Sequence, residues 1–353
     1  MTLYRPEKFE RLTDEPWDAE RVRARIREIA ADAEAEPGDL YFGAAGTALA
    51  LDRLRRRGHA DAEVDLSRTL EQWRPDEGEE ASLFFGEPGV LVVAYRLAPS
   101  PDLADRLYAH VRENARNDAN ELMWGAAGTM LAAHAMHAWT GDDRWRDAWT
   151  ESADELRRRR DDDGLWTQLR RGRESRLIGA AHGAVSNELA LLQGDPNEDA
   201  SPVAAMLERT AVVEGGLANW PTAEGQGLVE PDGDIRVQWC HGSPGIVATT
   251  ASYLPEELLL AGAELTWRAG PHGKGPGLCH GTAGNGYAFL KVFERTGDER
   301  WLDRARRFAV HALEQLERDD RGHSLWNGDV GVAVYAADCL DARADVPVLD
   351  GWD

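Results

Sequence analysis

A chain of 353 residues with 63 acidic against 40 basic side chains carries a formal charge of −23. That balance excludes the positive footprint a nucleic-acid partner needs and argues against anionic membrane surfaces. The 42% hydrophobic content is enough for a sizeable core, while three cysteines are too few and too odd in number for a disulfide framework.

No apolar run approaches membrane-spanning length, and the opening Met-Thr-Leu-Tyr-Arg-Pro-Glu-Lys has no apolar signal region. A soluble, cytoplasmic protein with no nucleic-acid and no membrane partner is expected. Lysine occurs only at Lys8, Lys274 and Lys291. Such Arg usage fits a high-GC genome, and with the acidic excess a salt-adapted cytosol.

Along the chain a Gly-x-x-Gly pair recurs, preceded by apolar residues and followed by an apolar run. Gly43-Ala-Ala-Gly46 leads into 47–54, and Gly86-Glu-Pro-Gly89 into 90–97. An amphipathic stretch at 102–117 precedes Gly125-Ala-Ala-Gly128 and its run at 129–138. A second amphipathic stretch, 144–160, precedes a degenerate copy, His182-Gly183-Ala-Val-Ser186. Residues 193–201 read as a loop. In 225–239, Asp232-Gly233 lies between Leu228-Val229 and Ile235–Val237, a hairpin signal.

Gly242-Ser-Pro-Gly245 and Gly281-Thr-Ala-Gly284 follow, the latter opening 285–293. In 301–317, Leu302, Ala305, Phe308, Ala309, Ala312, Leu313 and Leu316 keep helical spacing. Gly328-Asp-Val-Gly331 closes the series. Seven units at intervals of roughly 40–60 residues predict seven helical hairpins, each with an amphipathic helix and a buried one that begins at glycines. The expected fold is all-α, an α/α toroid with the glycine turns gathered at one end. No Pro/Ser-rich linker divides it, so 1–353 reads as a single domain.

Two of the turns carry chemistry. Trp239-Cys240-His241-Gly242 and Leu278-Cys279-His280-Gly281 each set a Cys beside a His just before a buried helix. Thiolate and imidazole are ligands that zinc prefers, and two such corners could supply three of them and leave one position open. Buried structural cysteines, or a purely structural zinc, would use the same residues. His272 could replace one ligand. Cys339, inside an apolar run, reads as a small buried hydrophobe.

The seven glycine turns, Trp-Cys-His-Gly and Leu-Cys-His-Gly-Thr-Ala-Gly-Asn together resemble the LanC-like family of lanthionine cyclases and LanC-like proteins. The resemblance runs over nearly the whole chain and is strongest from Gln238 to Leu340. It implies a seven-fold α/α toroid around zinc, with Cys240, Cys279 and His280 as the ligands. The family's acid/base histidine falls on His182, an acidic residue on Glu121 and an arginine on Arg236.

Trp-Cys-His-Gly, Glu121 and Lys274 place the chain nearer the stand-alone LanC-like branch, where the lysine contacts glutathione. The implied reaction adds a thiol, glutathione-like or a peptide cysteine, to dehydroalanine or dehydrobutyrine in a peptide or protein. Ser186 in place of the second glycine, and Asn327 where relatives often have Glu, depart from the family pattern.

The residues themselves allow the same roles. His182 can protonate the α-carbon, or merely cap a helix. His241 can assist from behind Cys240, or pack. Arg236 and Lys274 can steady an enolate or the carboxylates of a thiol, and Glu121 can orient His182. Trp239 can wall the pocket. Three alternatives stay open: a lanthionine cyclase served by a separate dehydratase, a zinc-stabilised binding scaffold, and a glycosidase-type toroid. The last needs paired carboxylates, for which the turns offer Glu87, Glu121, Glu188 and Asp329.

Overall fold

The computed structural model describes residues 2–319 and 321–353. Among them are fourteen α-helices, which alternate between an outer and an inner position. In chain order the pairs are α1 (Ala19–Asp32) with α2 (Ala44–Arg56), α3 (Ser67–Gln72) with α4 (Glu87–Leu97), and α5 (Pro101–Asn114) with α6 (Ala126–Thr140). Next come α7 (Asp143–Arg159) with α8 (Ala184–Gly194), and α9 (Ser201–Thr210) with α10 (Ser243–Thr250). The last pairs are α11 (Glu256–Ala269) with α12 (Thr282–Thr296), and α13 (Glu299–Leu316) with α14 (Asp329–Asp341).

Each even-numbered helix packs on the next even-numbered one, and α14 packs on α2, so the inner ring closes. The expected α/α toroid is the observed fold. Inner helices are buried almost all round: α6, for example, buries Ala126 through Ala133 without a break. The outer α13 instead buries one stripe, including Leu302, Ala305, Phe308, Ala309 and Ala312, and shows Arg and Glu to solvent.

The two rings begin their helices differently. Asp18, Ser100, Asp142 and Asp298 cap α1, α5, α7 and α13 by accepting first-turn amide hydrogen bonds. The inner helices start from glycine with no side-chain cap. In α8, α12 and α14 the first amide donates instead to the carbonyl seven residues back, from Ala184 to Leu177 (3.0 Å), Thr282 to Gly275 (3.0 Å) and Asp329 to Gly322 (3.1 Å), whereas in α10 Ser243 N–H donates to Asn219 Oδ1 at 3.0 Å. In those three helices an orphan donor of the helix start is thus satisfied by the turn itself.

The second glycine makes this compact. A Cβ on Gly245 or Gly284 would lie 1.7 Å from the carbonyl oxygen of Trp239 or Leu278. The fourth turn tolerates Ser186, which is buried and donates its hydroxyl to Gly183 O at 2.8 Å. Its neighbours keep the common bonds, so the turn bearing His182 retains the backbone pattern of the others.

Strands were nearly absent from expectation, and two short antiparallel pairs occur. β1 (Gln168–Arg170) pairs with β2 (Arg173–Ser175), and β3 (Val212–Glu214) with β4 (Leu217–Asn219). The anticipated hairpin within 225–239 reduces to one bridge, Val229 to Ile235, closed by Glu230 N–H on Asp234 O. Polar Pro231–Gly233 leave it too short for a ladder. The loop at 193–201 is trimmed at both ends, since α8 runs to Gly194 and α9 starts at Ser201.

Candidate functional site

The seven glycine turns are stitched to one another around the ring. Tyr41 N–H donates to Phe84 O, Ala181 to Cys240 O, Cys240 to Cys279 O, Cys279 to Trp326 O and Trp326 to Tyr41 O. Side chains bridge the other two gaps, Ser82 Oγ to Met123 O and Asn187 Nδ2 to Asn120 O. This circular seam fixes the distance between residues far apart in sequence.

It brings Cys240 and Cys279 together at the starts of α10 and α12. Gly242, which ends the first of these turns, has φ +100°, a conformation that glycine adopts without penalty. Cys240, Cys279 and His280 place one ligand atom each within 4.8 Å of one another, and theirs is the group of this kind among the described residues. His272 is not part of it: its Nδ1 accepts the Lys274 N–H at 3.0 Å, and burial pulls its pKa down to about 4. Cys339 is buried in α14 and burial raises its pKa.

The thiols are asymmetric. Hydrogen bonding from the Cys279 thiol lowers the Cys240 pKa well below the ordinary value against the opposing effect of burial, and His280 adds to it. The same contact, with burial, pushes Cys279 well above it. The two sulfurs lie within 4.8 Å of each other, a pair that a divalent cation would complete. Two thiols and an imidazole, joined by no further His, Cys, Asp or Glu among the described residues, fit the N/S set of a zinc site with an open position.

Gln238, which no motif singles out, joins this centre to Lys274. Its Nε2 donates to Cys240 Sγ at 2.9 Å while its Oε1 accepts from Lys274 Nζ at 2.8 Å. An ammonium only donates, so Lys274 sets the orientation of the amide. Burial lowers the Lys274 pKa, and nearby Arg236 adds to the effect. The Arg236 guanidinium is itself gripped by Asp232 (2.5 Å) and Asp234 (2.8 Å). Arg321 donates to the Lys274 carbonyl at 2.7 Å. The Tyr41 hydroxyl reaches both Cys279 and Asn327, and burial raises its pKa.

Beside this cluster stands His182. Its Nδ1 lies 3.0 Å from Glu121 Oε2. The buried Glu121 carboxylate is fixed by the amides of Met123 (2.9 Å) and Trp124 (2.5 Å). The His182 ring stacks on Trp124 at 5.1 Å and 12°, and sits 5.7 Å from the ring of His241. His241 follows Cys240 directly; burial lowers its pKa, and its Nδ1 has no partner. Trp239 is buried at 1% exposure and packs on Trp326 at 4.8 Å.

The four turn carboxylates do not pair with each other. Glu87 meets Arg106 and His110, Glu121 meets His182, Glu188 meets Arg160, and Asp329 meets His323. No glycosidase-type pair forms from them.

A closed ring of seven helix pairs, with a Cys-Cys-His group where the glycine turns gather, is the architecture of a LanC-type toroid. The family model described as lanthionine synthetase C-like protein matches residues 34–350, and the chain belongs to that family. Glutathione S-transferase LANCL1 of Danio rerio is 37% identical over 131 residues, covering 33% of this chain and 32% of that protein. LanC-like protein GCL1 of Arabidopsis thaliana is 33% identical over 129 residues, 32% of this chain and 28% of that one. The aligned stretch thus spans about a third of either relative. Nisin cyclase superposes with a TM-score of 0.60 over 91% of this chain and 92% of its own, at 15% identity. That likeness shows the shared fold.

Proposed function

We propose that this protein adds a thiol across the carbon–carbon double bond of dehydroalanine or dehydrobutyrine residues in a peptide or protein, forming a thioether. The thiol is a small one of the glutathione kind. The observation that carries this reading is the meeting of three soft donors, Cys240, Cys279 and His280, with a Glu121-held His182 one imidazole away.

Zinc at the three donors would supply a thiolate at neutral pH by lowering the pKa of the incoming thiol. The chain does the rest. Addition forms a sulfur–Cβ bond, breaks the Cα–Cβ π bond and requires one proton at Cα. His182 Nδ1 is committed to Glu121, so Nε2 is the nitrogen that delivers this proton. Lys274, Arg236 and Arg321 cluster on one side and suit the carboxylates of a glutathione-like thiol. His241, its pKa lowered by burial, assists from behind Cys240, and Trp239 stiffens the wall beside it.

The whole of 1–353 acts as one domain in this reading, because α14 must close on α2 for the turns to meet. Three free cysteines suit a reducing cytoplasm. No described helix is long and apolar enough to cross a membrane.

The test is incubation of zinc-loaded protein with a dehydroalanine peptide and glutathione, followed by mass. One glutathione added per dehydroalanine, abolished by chelation and by Cys279→Ala, is expected. A parallel peptide with its own cysteine tests the cyclase alternative: free thiol disappears there without a mass change. No zinc-dependent product from either peptide would overturn thiol addition.

A further inference from the structure

Beyond Trp124, on which His182 stacks, lies a cavity of about 250 Å³ that the reaction above does not use. Its walls are aromatic: Phe42, Trp73, Phe85 and Trp124. Phe42 is 60% exposed, unusual for phenylalanine in a well-packed chain. Phe85 stacks on Trp124 at 5.4 Å and 27°, continuing the surface that begins at His182.

Besides Glu79, two carboxylates line the same space, Asp39 and Asp76. Most acids here lie against an arginine, yet neither of these has an ion-pair partner among the described residues. Asp39 spends one oxygen on the amides of Tyr41 and Phe42. Burial raises its pKa, and Asp76 beside it raises it further. Arg74, on the rim, turns back to the Trp73 carbonyl at 2.5 Å.

The chain shows what this surface accepts. At its inner edge Arg170, from the tip of the β1–β2 hairpin, lays its guanidinium 3.1 Å from the centre of the Trp124 ring. It also donates to Glu79 at 2.9 Å, and Glu79 in turn accepts from Trp124 Nε1. A cation over an aromatic face with a carboxylate beside it is thus already realised once on this wall. The adjoining cavity repeats the elements, aromatic faces and carboxylates, and its one lining cation, Arg74, is turned to the Trp73 carbonyl rather than paired with Asp39 or Asp76.

We propose that this cavity is a subsite for a positively charged side chain, lysine or arginine, of the peptide that presents the dehydroamino acid. The proposal rests on the thiol-addition reading for the identity of the peptide. The ring spacings of 5.1 Å from His182 to Trp124 and 5.4 Å from Trp124 to Phe85 set an upper bound of about 10 Å on the span from His182 to Phe85, and an extended chain advances ~3.3–3.6 Å per residue. The charged residue therefore sits within about three positions of the dehydroamino acid. A net charge of −23 steers such peptides toward the protein.

The experiment uses the full chain and two peptide sets. The first carries alanine in place of dehydroalanine, with lysine, norleucine or glutamate two or three positions away, and reads binding by calorimetry without turnover. The second carries dehydroalanine and reads kcat/KM. Lysine peptides should bind about tenfold more tightly than norleucine peptides, and the difference should shrink with salt. Asp76→Asn and Phe42→Ala, both at exposed positions, should reduce that preference and leave norleucine binding unchanged. Equal affinity for lysine and norleucine peptides, or variants that weaken both equally, would overturn the subsite. A lysine preference in binding without any thioether product would keep the subsite and remove thiol addition. Thioether formed with no lysine preference would do the reverse.

Discussion

The two ends of the inner ring both bury ionisable groups, and they treat them in opposite ways. Toward the helix C-termini, Asp338 is fully buried and accepts from Arg53 (3.2 Å), Arg57 and the Tyr287 hydroxyl (2.5 Å). Burial still holds its pKa up, but every oxygen has donors and Arg53 also caps the Asp345 carbonyl. At the glycine-turn end, the sulfurs of Cys240 and Cys279 meet each other, the Gln238 amide, the Tyr41 hydroxyl and His280. One end is completed by the chain, while the other gathers donor atoms for something from outside. A buried charge that the protein matches itself is architecture; an unmatched donor set is a candidate site.

The comparison can be broken most directly at the sulfurs. Cys279→Ala should abolish both zinc retention and thiol addition, yet move the urea midpoint of the chelated protein by no more than ~1 kcal/mol in stability. Loss of folding in the chelated variant would show that the turn end is structural too. At the opposite end, Asp338→Ala should cost about 3–5 kcal/mol by taking the carboxylate from the buried Arg53 guanidinium. Zinc measured on the folded fraction should be unchanged.

His182→Asn should lower kcat by about 10²–10⁴-fold with zinc content intact. A drop in zinc would make His182 part of the donor set.

Between the two ends, on α8, Glu188 is buried with one oxygen unpartnered, and burial pushes its pKa up to about 7 from 4.5. The folded state then holds this proton more tightly than the unfolded one. Its contribution is full below the unfolded pKa and is lost as pH rises through about 7. Glu188→Gln should remove about 2–3 kcal/mol of that loss between pH ~5 and ~8, read by urea melts at several pH values. The smallest effect is expected at Gln238→Ala: about 1 kcal/mol in KM for the thiol as Lys274 loses its anchor, with faster alkylation of Cys240 by iodoacetamide.

Much of the fold was legible because the inner helices demand glycine where their turns touch. The Gly43, Gly86, Gly125, Gly242, Gly281 and Gly328 turns announced six inner helices outright, and His182-Gly183 the seventh. The short strands were not legible in the same way. In β1 and β2 the one apolar residue, Leu169, is 43% exposed, so no alternation marks them. For β3 and β4 the only local mark is Gly215-Gly216 between Val213 and Leu217, a two-residue hairpin turn.

At the site, Cys240, Cys279 and His280 stood out by local motif alone. The Trp124–His182 stack and the Gln238 link did not, because each joins residues that neighbour one another only after the ring has closed. The Arg236 clamp lay in plain view as Asp232-Gly-Asp-Ile-Arg236, but its spacing alone did not say that both carboxylates turn toward the guanidinium.

The contact of α14 with α2 has a consequence for how the molecule is made. A linear stack of helical hairpins can fold from any point and add units at its ends. A circle has no ends, and its last joint pairs residues near the start of the chain with residues near its finish, as Arg53 with Asp338. Such a joint pays its loop-closure entropy late. An arc of the first six hairpins leaves the inner faces of α2 and α12 partly bare until α14 packs between them.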